Sequence, residues 1–498
     1  MKKSLIYSLA GVLMLSSCSL DINEDPNYPS NASVTADLVF PSAENFIADC
    51  VGDQMFNYGG FFAQYFEQAP TANQYNDLAE LNINESKEVF NRCYRNLYAG
   101  ALMDIEDVKT KTSSTADLFA CAVLRAYAYQ LLFDNLNEVP YKDALKGVDV
   151  PMPTWDKGVD VYNGVLAELD EAEATLLDGD AMTVTDPLLE KNIKQWIGFA
   201  NALRLRMLFR LVDGGVDVDA NKQKIVKLVQ AGNFFASNVV WNVYSPVDNQ
   251  YNPWFDGYKQ LGAKNHCAAY PLISYYNATD DPRISYVLSP RTLDGKYVGQ
   301  MPGAKTTTAG WLGIQTAQYQ ESYVSAVNYD AAKDMPVYLY TQAELQFLIA
   351  EAQIRFLAND GAAQAAYEAG VKADFADRGV AGEDAFLAGD LVKWDGTDAQ
   401  KLDKIYRQKW VALFFRDHME AWTEARRTDV PACSAKSAAD INKNPEIYTP
   451  GDFIVPAVNY SEKQGLCLSL PFPSTARRLN KNTPAAHTIS DRVFWDVK

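Results

Sequence analysis

Cys18 is the residue best placed to do chemistry, because of what precedes it. A basic head, Met1-Lys2-Lys3, leads into an apolar run from Leu5 to Leu15, and Leu15-Ser16-Ser17 then sets small residues before the thiol. A run of about eleven residues is too short to cross a bilayer, which takes roughly 20 apolar residues, but it suits the core of a secretory signal. Small residues ahead of a cysteine admit a chain to lipoprotein processing, where the thiol is the nucleophile that takes the diacylglycerol. The order of these features assigns residues 1–17 to a signal peptide and makes Cys18 the lipid-bearing first residue of the mature chain. The plainer reading, an ordinary signal with an incidental cysteine, leaves that order unexplained. Each buried methylene is worth about 0.8 kcal/mol, and two or more acyl chains anchor stably. Every later apolar run is broken by charge or proline, so the expected membrane contact is through the lipid alone.

Other reactive constellations are missing from the sequence. The three histidines, His266, His418 and His487, form no HExxH or other ligand pair. There is no GxSxG elbow and no GxxxxGK[ST] or GxGxxG loop. Asp217-Val218-Asp219-Ala220-Asn221 imitates the start of a calcium loop. Lys222 then stands where glycine is needed and Leu228 where a carboxylate is, so the run reads as a polar turn before a helix at 221–231. No catalytic residue, cofactor or metal site is assigned. A glycosidase needs only two carboxylates, and 63 acidic residues always permit some pair. The formal charge of −18, with no basic patch, argues against nucleic acid. Cys50, Cys93, Cys121, Cys267, Cys433 and Cys467 are scattered without a CxxC spacing, and no disulfide is assigned. Cys93 and Cys121 fall in helical patterns and read as small buried thiols.

The elements that must position any site are mostly helices. Residues 18–40, with Asp21, Asn23, Glu24, Asp25, Pro26, Asn27, Pro29 and Asn31, read as a tether reaching at most about 60–70 Å. From Thr115, Leu118, Ala122, Ala126, Tyr129 and Phe133 recur every three to four residues, which predicts a helix with Thr115 as its N-cap. Residues 84–108 are its expected partner. Helices are also expected over 159–177 and 191–212, over 341–357 and 362–375, and as one long element over 401–425. Helix pairs joined by short polar turns imply a mainly α, tetratricopeptide-like scaffold, although the strict 34-residue consensus is missing. One domain over 41–498 is expected, with irregular insertions at about 232–335 and 430–498 where Asn, Gly, Pro, Tyr and Trp concentrate. Loops on a rigid frame commonly carry function.

Taken together, these pieces resemble the SusD/RagB-like family of outer-membrane nutrient-binding lipoproteins. The likeness rests on the cysteine at 18 with its acidic tether and on LRAYAYQLLFDNLNEVPYKDAL (124–145). It rests further on YTQAELQFLIAEAQIRF (340–356) and IYRQKWVALFFRDHMEAWTEARRTDVP (405–431). LPFPSTARRLNKN (470–482) is similar to the family's closing segment, with Phe472 where Tyr is usual. The resemblance implies a divergent member with a tetratricopeptide-like fold, no catalysis and a place on the outer face of the outer membrane. It implies a SusC-like TonB-dependent β-barrel transporter as partner. Its ligand would be an oligosaccharide or, in the alternative, a peptide. Arg125, Tyr127, Glu351, Arg407, Glu420, Arg426 and Arg427 read as ties between helices.

A ligand of sugar rings asks for flat aromatics against its faces and amides or carboxylates at its edges. Three clusters offer both: Asn73-Gln74-Tyr75-Asn76-Asp77; Trp241 and Tyr244 with Tyr251 to Tyr258; and Gly310-Trp311 with Tyr319 and Tyr323. The expected contacts are Asn73, Tyr75, Trp241, Tyr244, Trp254, Tyr258 and Trp311. Trp254 and Trp311 are expected as exposed platforms, with Asn252 and Asp256 as polar edges. The competing reading of these aromatics is that they pin the loops or meet the transporter.

Overall fold

A computed structural model describes residues 34–497 apart from 178, 263, 306–307 and 316–319. Cys18, its signal peptide, most of the expected tether and Tyr319 therefore lie outside the described residues. Helices dominate. The first, α1 (Ala36–Asp49), begins inside the stretch expected to be tether. It runs straight into a π-helical turn, Cys50–Met55, and then α2 (Phe56–Phe62). A second π-helical turn, Asn96–Leu102, interrupts the helix expected over 84–108, between α3 (Asn91–Arg95) and α4 (Met103–Lys111).

α5 spans Thr115–Leu136 as the apolar spacing predicts, but its cap is Ser114, whose hydroxyl accepts from the Asp117 amide. This helix is long and apolar enough to cross a membrane, contrary to the sequence expectation. It lies buried in the core of the fold. α6 (Gly158–Ala174) packs mainly on α5, while α7 (Ile193–Asp213) pairs with α8 (Val218–Ala231), a different pairing from the one expected. α9 (Pro253–Leu261) and α10 (Tyr270–Ala278) lie in the 232–335 stretch, which is more regular than its composition suggested. α11 (Gln342–Arg355) and α12 (Asp360–Arg378) form a tight hairpin.

The long helix expected over 401–425 is two, α13 (Asp398–Leu413) and α14 (His418–Thr428). Between them Phe415 takes a left-handed conformation (φ 57°). The break is held by Nε2 of His418, which accepts from the Phe415 amide, and by Asp417, which caps α14. Gly59 of α2 lies so close to α14 that a Cβ there would sit 2.4 Å from the His418 carbonyl carbon.

A buried chain of charges ties α5, α7, α11, α13 and α14 together. Arg210 bonds Asp134 and Glu420, Arg206 forks onto Glu344, and Lys409 meets Glu424. Arg427 joins Glu351, Glu424 and Asp213. The Glu-rich and Arg-Arg motifs thus face the interior and fix the helices relative to one another. Tyr127, Arg407 and Arg426 act likewise, through Leu339, Asp452 and Leu468.

Short strands gather the loops. β1 (Phe66–Gln68), β5 (His266–Ala268), β6 (Leu288–Ser289) and β7 (Ala326–Val327) form an antiparallel sheet in the order β1-β5-β7-β6, with Gln68 opposite His266. β2 (Glu138–Val139) pairs with β3 (Asp156–Lys157). β4 (Val239–Trp241) pairs with β8 (Val337–Tyr340).

One buried acid makes stability depend on pH. Glu44 of α1 is 1% exposed, with the Leu188 amide as a neighbour. Beside it, Asp186 accepts from the amides of Leu189 and Lys191 and from the Trp196 indole. Burial, followed by the Asp186 charge, holds the Glu44 pKa well above the ordinary value against the Leu188 amide, so Glu44 keeps its proton beside Asp186. The native state binds that proton where the unfolded chain has released it, so this contribution is complete below the unfolded pKa and is lost as pH rises. Thermal melts of Glu44→Gln should therefore lose less stability than wild type between pH 5 and 8. Equal losses would show that Glu44 is not the group responsible.

Candidate functional site

The structure draws two of the three expected clusters together around α1, its π-turn and α9. At the centre is a column of near-parallel rings. Tyr258 stacks on Tyr329 (3.7 Å between centroids, 16°), Tyr329 on Trp254 (5.0 Å, 12°), and Trp254 on Phe66 (5.8 Å, 10°). Below lie Phe56, Phe415 and His418. Tyr258 is the outermost, half-buried ring. Asn252 sets this geometry by capping α9: its side chain accepts from the Trp254 amide and donates to the Met335 carbonyl.

Tyr75 stands beside the column, 4.9 Å from the His266 ring and 5.6 Å from Phe61. Its amide is held by the Gln68 side chain, opposite His266 across the β1–β5 pair. A polar relay runs beneath it. Burial pushes the His266 imidazole down to about 3, so the ring is neutral. Its Nε2 then donates to Asn57 Oδ1 (2.6 Å) and its Nδ1 accepts from the Tyr329 hydroxyl (2.8 Å). Asn57 in turn bonds the Tyr75 hydroxyl.

A row of polar groups edges the rings. Asp53 of the first π-turn is paired with Arg92, whose guanidinium also lies 3.6 Å from Asp49. Burial pushes the Asp53 carboxyl up, and the Arg92 charge opposes that. Gln54 donates to the Tyr58 hydroxyl (2.8 Å), and Asn96 of the second π-turn donates to Asp49 (3.1 Å). α9 passes beside this row: a Cβ at Gly257 would lie 3.8 Å from Asp53 Oδ1, an ordinary contact. Asp256 stands in the first turn of α9, and half-buried Tyr244 extends the row toward Asp49. π-turns concentrate at functional positions, and two of them supply this edge.

Several expected contacts take other roles. Trp254 is 3% exposed and is the pillar of the column, not its platform. Trp241 is 4% exposed because β4 turns it inward against the β8 pairing. Asn252 is a buried cap and cannot serve as an edge. Trp311 is 65% exposed as expected, on the short helix Ala309–Leu312 that packs on residues 438–443. Among the described residues no ring contact joins it to the Tyr75–Tyr258 group. Asn73 is exposed in the loop before Tyr75, next to a cleft of about 210 Å³ between residues 68–76 and Ala304-Lys305. Asp49, Asp53, Gln54, Asn57, Tyr58 and Arg92 were not singled out from sequence. Their only signal is a set of polar residues around Gly52, Gly59 and Gly60 in an otherwise apolar helix.

A larger cavity, about 560 Å³, lies elsewhere, between α4, α5 and α6. Its charged wall is already committed: Arg125 bridges Glu106 and Glu168 and lies over Tyr129 and Tyr141. The Tyr75–Tyr258 face is better suited to a flat, hydroxylated ligand, because it sets ring faces beside amides and carboxylates. His266 and His418 are both buried, and burial pushes both down to about 3, so neither is poised for acid–base work near neutral pH.

A family model described as SusD-like, starch-binding associating with outer membrane, matches residues 27–449. No curated protein matches the chain. Among solved structures, a chitin-binding SusD homologue from Flavobacterium johnsoniae is 21% identical, with a TM-score of 0.73, over 93% of this chain and 98% of its own. A SusD homologue from Bacteroides uniformis is 22% identical, with a TM-score of 0.70, over 93% and 100%. A SusD-like protein from Bacteroides thetaiotaomicron is 20% identical, with a TM-score of 0.70, over 92% and 99%. These likenesses carry the fold.

Proposed function

The chain belongs to the SusD-like family, and from that premise we propose that it is a surface lipoprotein that captures an oligosaccharide at the Tyr75–Tyr258 face for uptake. The observation that carries this reading is the ring column. Tyr258 is braced from below by Tyr329 and Trp254, so its outer face is presented rigidly, with Tyr75 beside it and Asp53, Gln54 and Asn57 at the edge. Pre-set rings cost little ordering on binding. The edge carries Asp49, Asp53 and Asp256, with Arg92 committed to the first two, which favours neutral or amino-bearing sugars over uronic or sulfated ones. Chitooligosaccharides are a natural first probe, since one protein of similar fold binds chitin. A peptide is the second reading, and backbone amides could use the same polar edge.

The anchoring and delivery steps extend the proposal. Cys18 would carry the lipid, tested by fatty-acid labelling that depends on that cysteine. The partner would be a TonB-dependent barrel of the outer membrane, which should copurify from mildly solubilised membranes. Calorimetric titration with neutral, amino and anionic oligosaccharides tests the central step. At least one neutral or amino oligosaccharide should bind saturably with no release of new reducing ends. Binding of peptides alone would move the ligand class, and hydrolysis abolished by Asp53→Asn would make the protein an enzyme.

A further inference from the structure

We propose that Cys50 and Cys93 are joined by a disulfide when the chain folds under oxidising conditions, a covalent tie between the two segments that edge the ring column. Cys50 opens the first π-turn, and Cys93 lies in α3, just before the second. The Cys50 thiol donates to the Cys93 carbonyl oxygen at 3.8 Å, both thiols are free in the structure, and the Cys50 thiol lies close enough to help raise the Cys93 pKa. Both residues are 1% exposed. Neighbouring contacts already lock the segments in register: Gln54 accepts from the Cys93 amide at 3.2 Å, and Asp53 pairs with Arg92. The tie would therefore add a bond across a contact that exists. It would fix Asp53 and Gln54 relative to Arg92, closing a loop between positions 43 apart in sequence.

Among the described residues no other pair of cysteines is shown in this arrangement. Cys267 donates to the carbonyls of Glu67 and Gln68, and Cys467 to that of Ser469. Cys433 is exposed and shares with Cys467 only the lining of a cavity of about 70 Å³. In the folded state burial pushes the Cys93 thiol well up, so thiolate is scarce there and exchange belongs to the folding stage, before α1 and α3 close. The chemistry is thiol–disulfide exchange with a small-molecule or protein disulfide. One cysteine thiolate attacks that disulfide, releasing one thiol and leaving a mixed disulfide. The second cysteine attacks the mixed bond and releases the other thiol. Two protein thiols are oxidised, one external disulfide is reduced to two thiols, and the two protons end on those thiols.

The test is refolding of wild type in a mixture of reduced and oxidised glutathione. Acid quench, mass-tagging of the remaining thiols and peptide mapping then report each cysteine. The expected map has Cys50 and Cys93 in one cross-linked peptide, lighter by two hydrogens, with Cys121, Cys267, Cys433, Cys467 and, in the unlipidated chain, Cys18 tagged. Adding a phosphine reductant should lower the wild-type melting temperature by about 2–4 °C and leave Cys50→Ser unmoved. Should that variant not fold, the wild-type map decides by itself. Tags on both Cys50 and Cys93, or a cross-link between any other pair, overturns the proposal.

Discussion

Arg427→Ala should be the most damaging single substitution in the scaffold, lowering the free energy of unfolding by about 3–5 kcal/mol. All five N–H groups of this guanidinium are used. Nε donates to Glu424 at 2.9 Å. Nη1 donates to Asp213 and Glu351 at 2.6 and 2.8 Å, and Nη2 to Glu351 and Glu424 at 2.7 and 2.8 Å. The side chain is completely buried. Alanine would leave these three carboxylates together with too little countercharge, and the cost comes from that desolvated repulsion more than from any bond lost. Arg427→Lys should recover part of the loss, since a point charge cannot fork between carboxylates. Chemical denaturation followed by circular dichroism measures both, and an Arg427→Ala protein as stable as wild type would remove the charge chain from the account of the fold.

The same cluster predicts acid sensitivity. The Arg427 charge, aided by Arg355, outweighs burial and holds Glu351 down to about 2. A carboxylate with a depressed folded pKa contributes stability that is present above its unfolded value and lost as pH falls toward the folded one. The sign is opposite to that of Glu44, so wild type should be most stable between the two windows.

Much of the scaffold could be read from the sequence, and the reasons are local. α5 shows itself through Leu118, Ala122, Ala126, Tyr129 and Phe133, because helical periodicity is written in neighbouring residues. α11 and α12 are legible for the same reason, although the turn read at Asn359-Asp360-Gly361 is in fact the Asn359 cap and first residues of α12. The split of 401–425 is not, because an unbroken pattern on both sides hides a left-handed Phe415 held by the His418 ring and the Asp417 cap. The site is legible in part. Tyr75 and Tyr258, singled out as aromatics beside turns, lie half-buried on the proposed face. Trp254 and Trp241 were misjudged, because the depth of an indole is set by residues distant in sequence: Phe66, Tyr329 and Phe415 bury one, and the β4–β8 pairing the other. Asp53 was not singled out because a π-turn rotates its side chain off the helical period, and Asn57 and Arg92 were not because they sit in helices of seven and five residues beside the π-turns, too short to write a stripe.

Binding by the double variant Tyr75→Ala/Tyr258→Ala, titrated with the oligosaccharide that saturates wild type, tests the central claim most directly. Each ring caps the site from outside, and loss of an aromatic contact at the centre of a binding face costs about 1.4–2 kcal/mol. Two losses should weaken binding by roughly 100-fold or more. Both rings are half-buried, so the melting temperature should stay within a few degrees of wild type. Trp254→Ala is the control for the opposite behaviour: removing the pillar should cost about 3 kcal/mol of stability, with weakened binding as a consequence. The account predicts a folded double variant that no longer binds. A folded double variant that binds as wild type does would contradict it and place the ligand elsewhere.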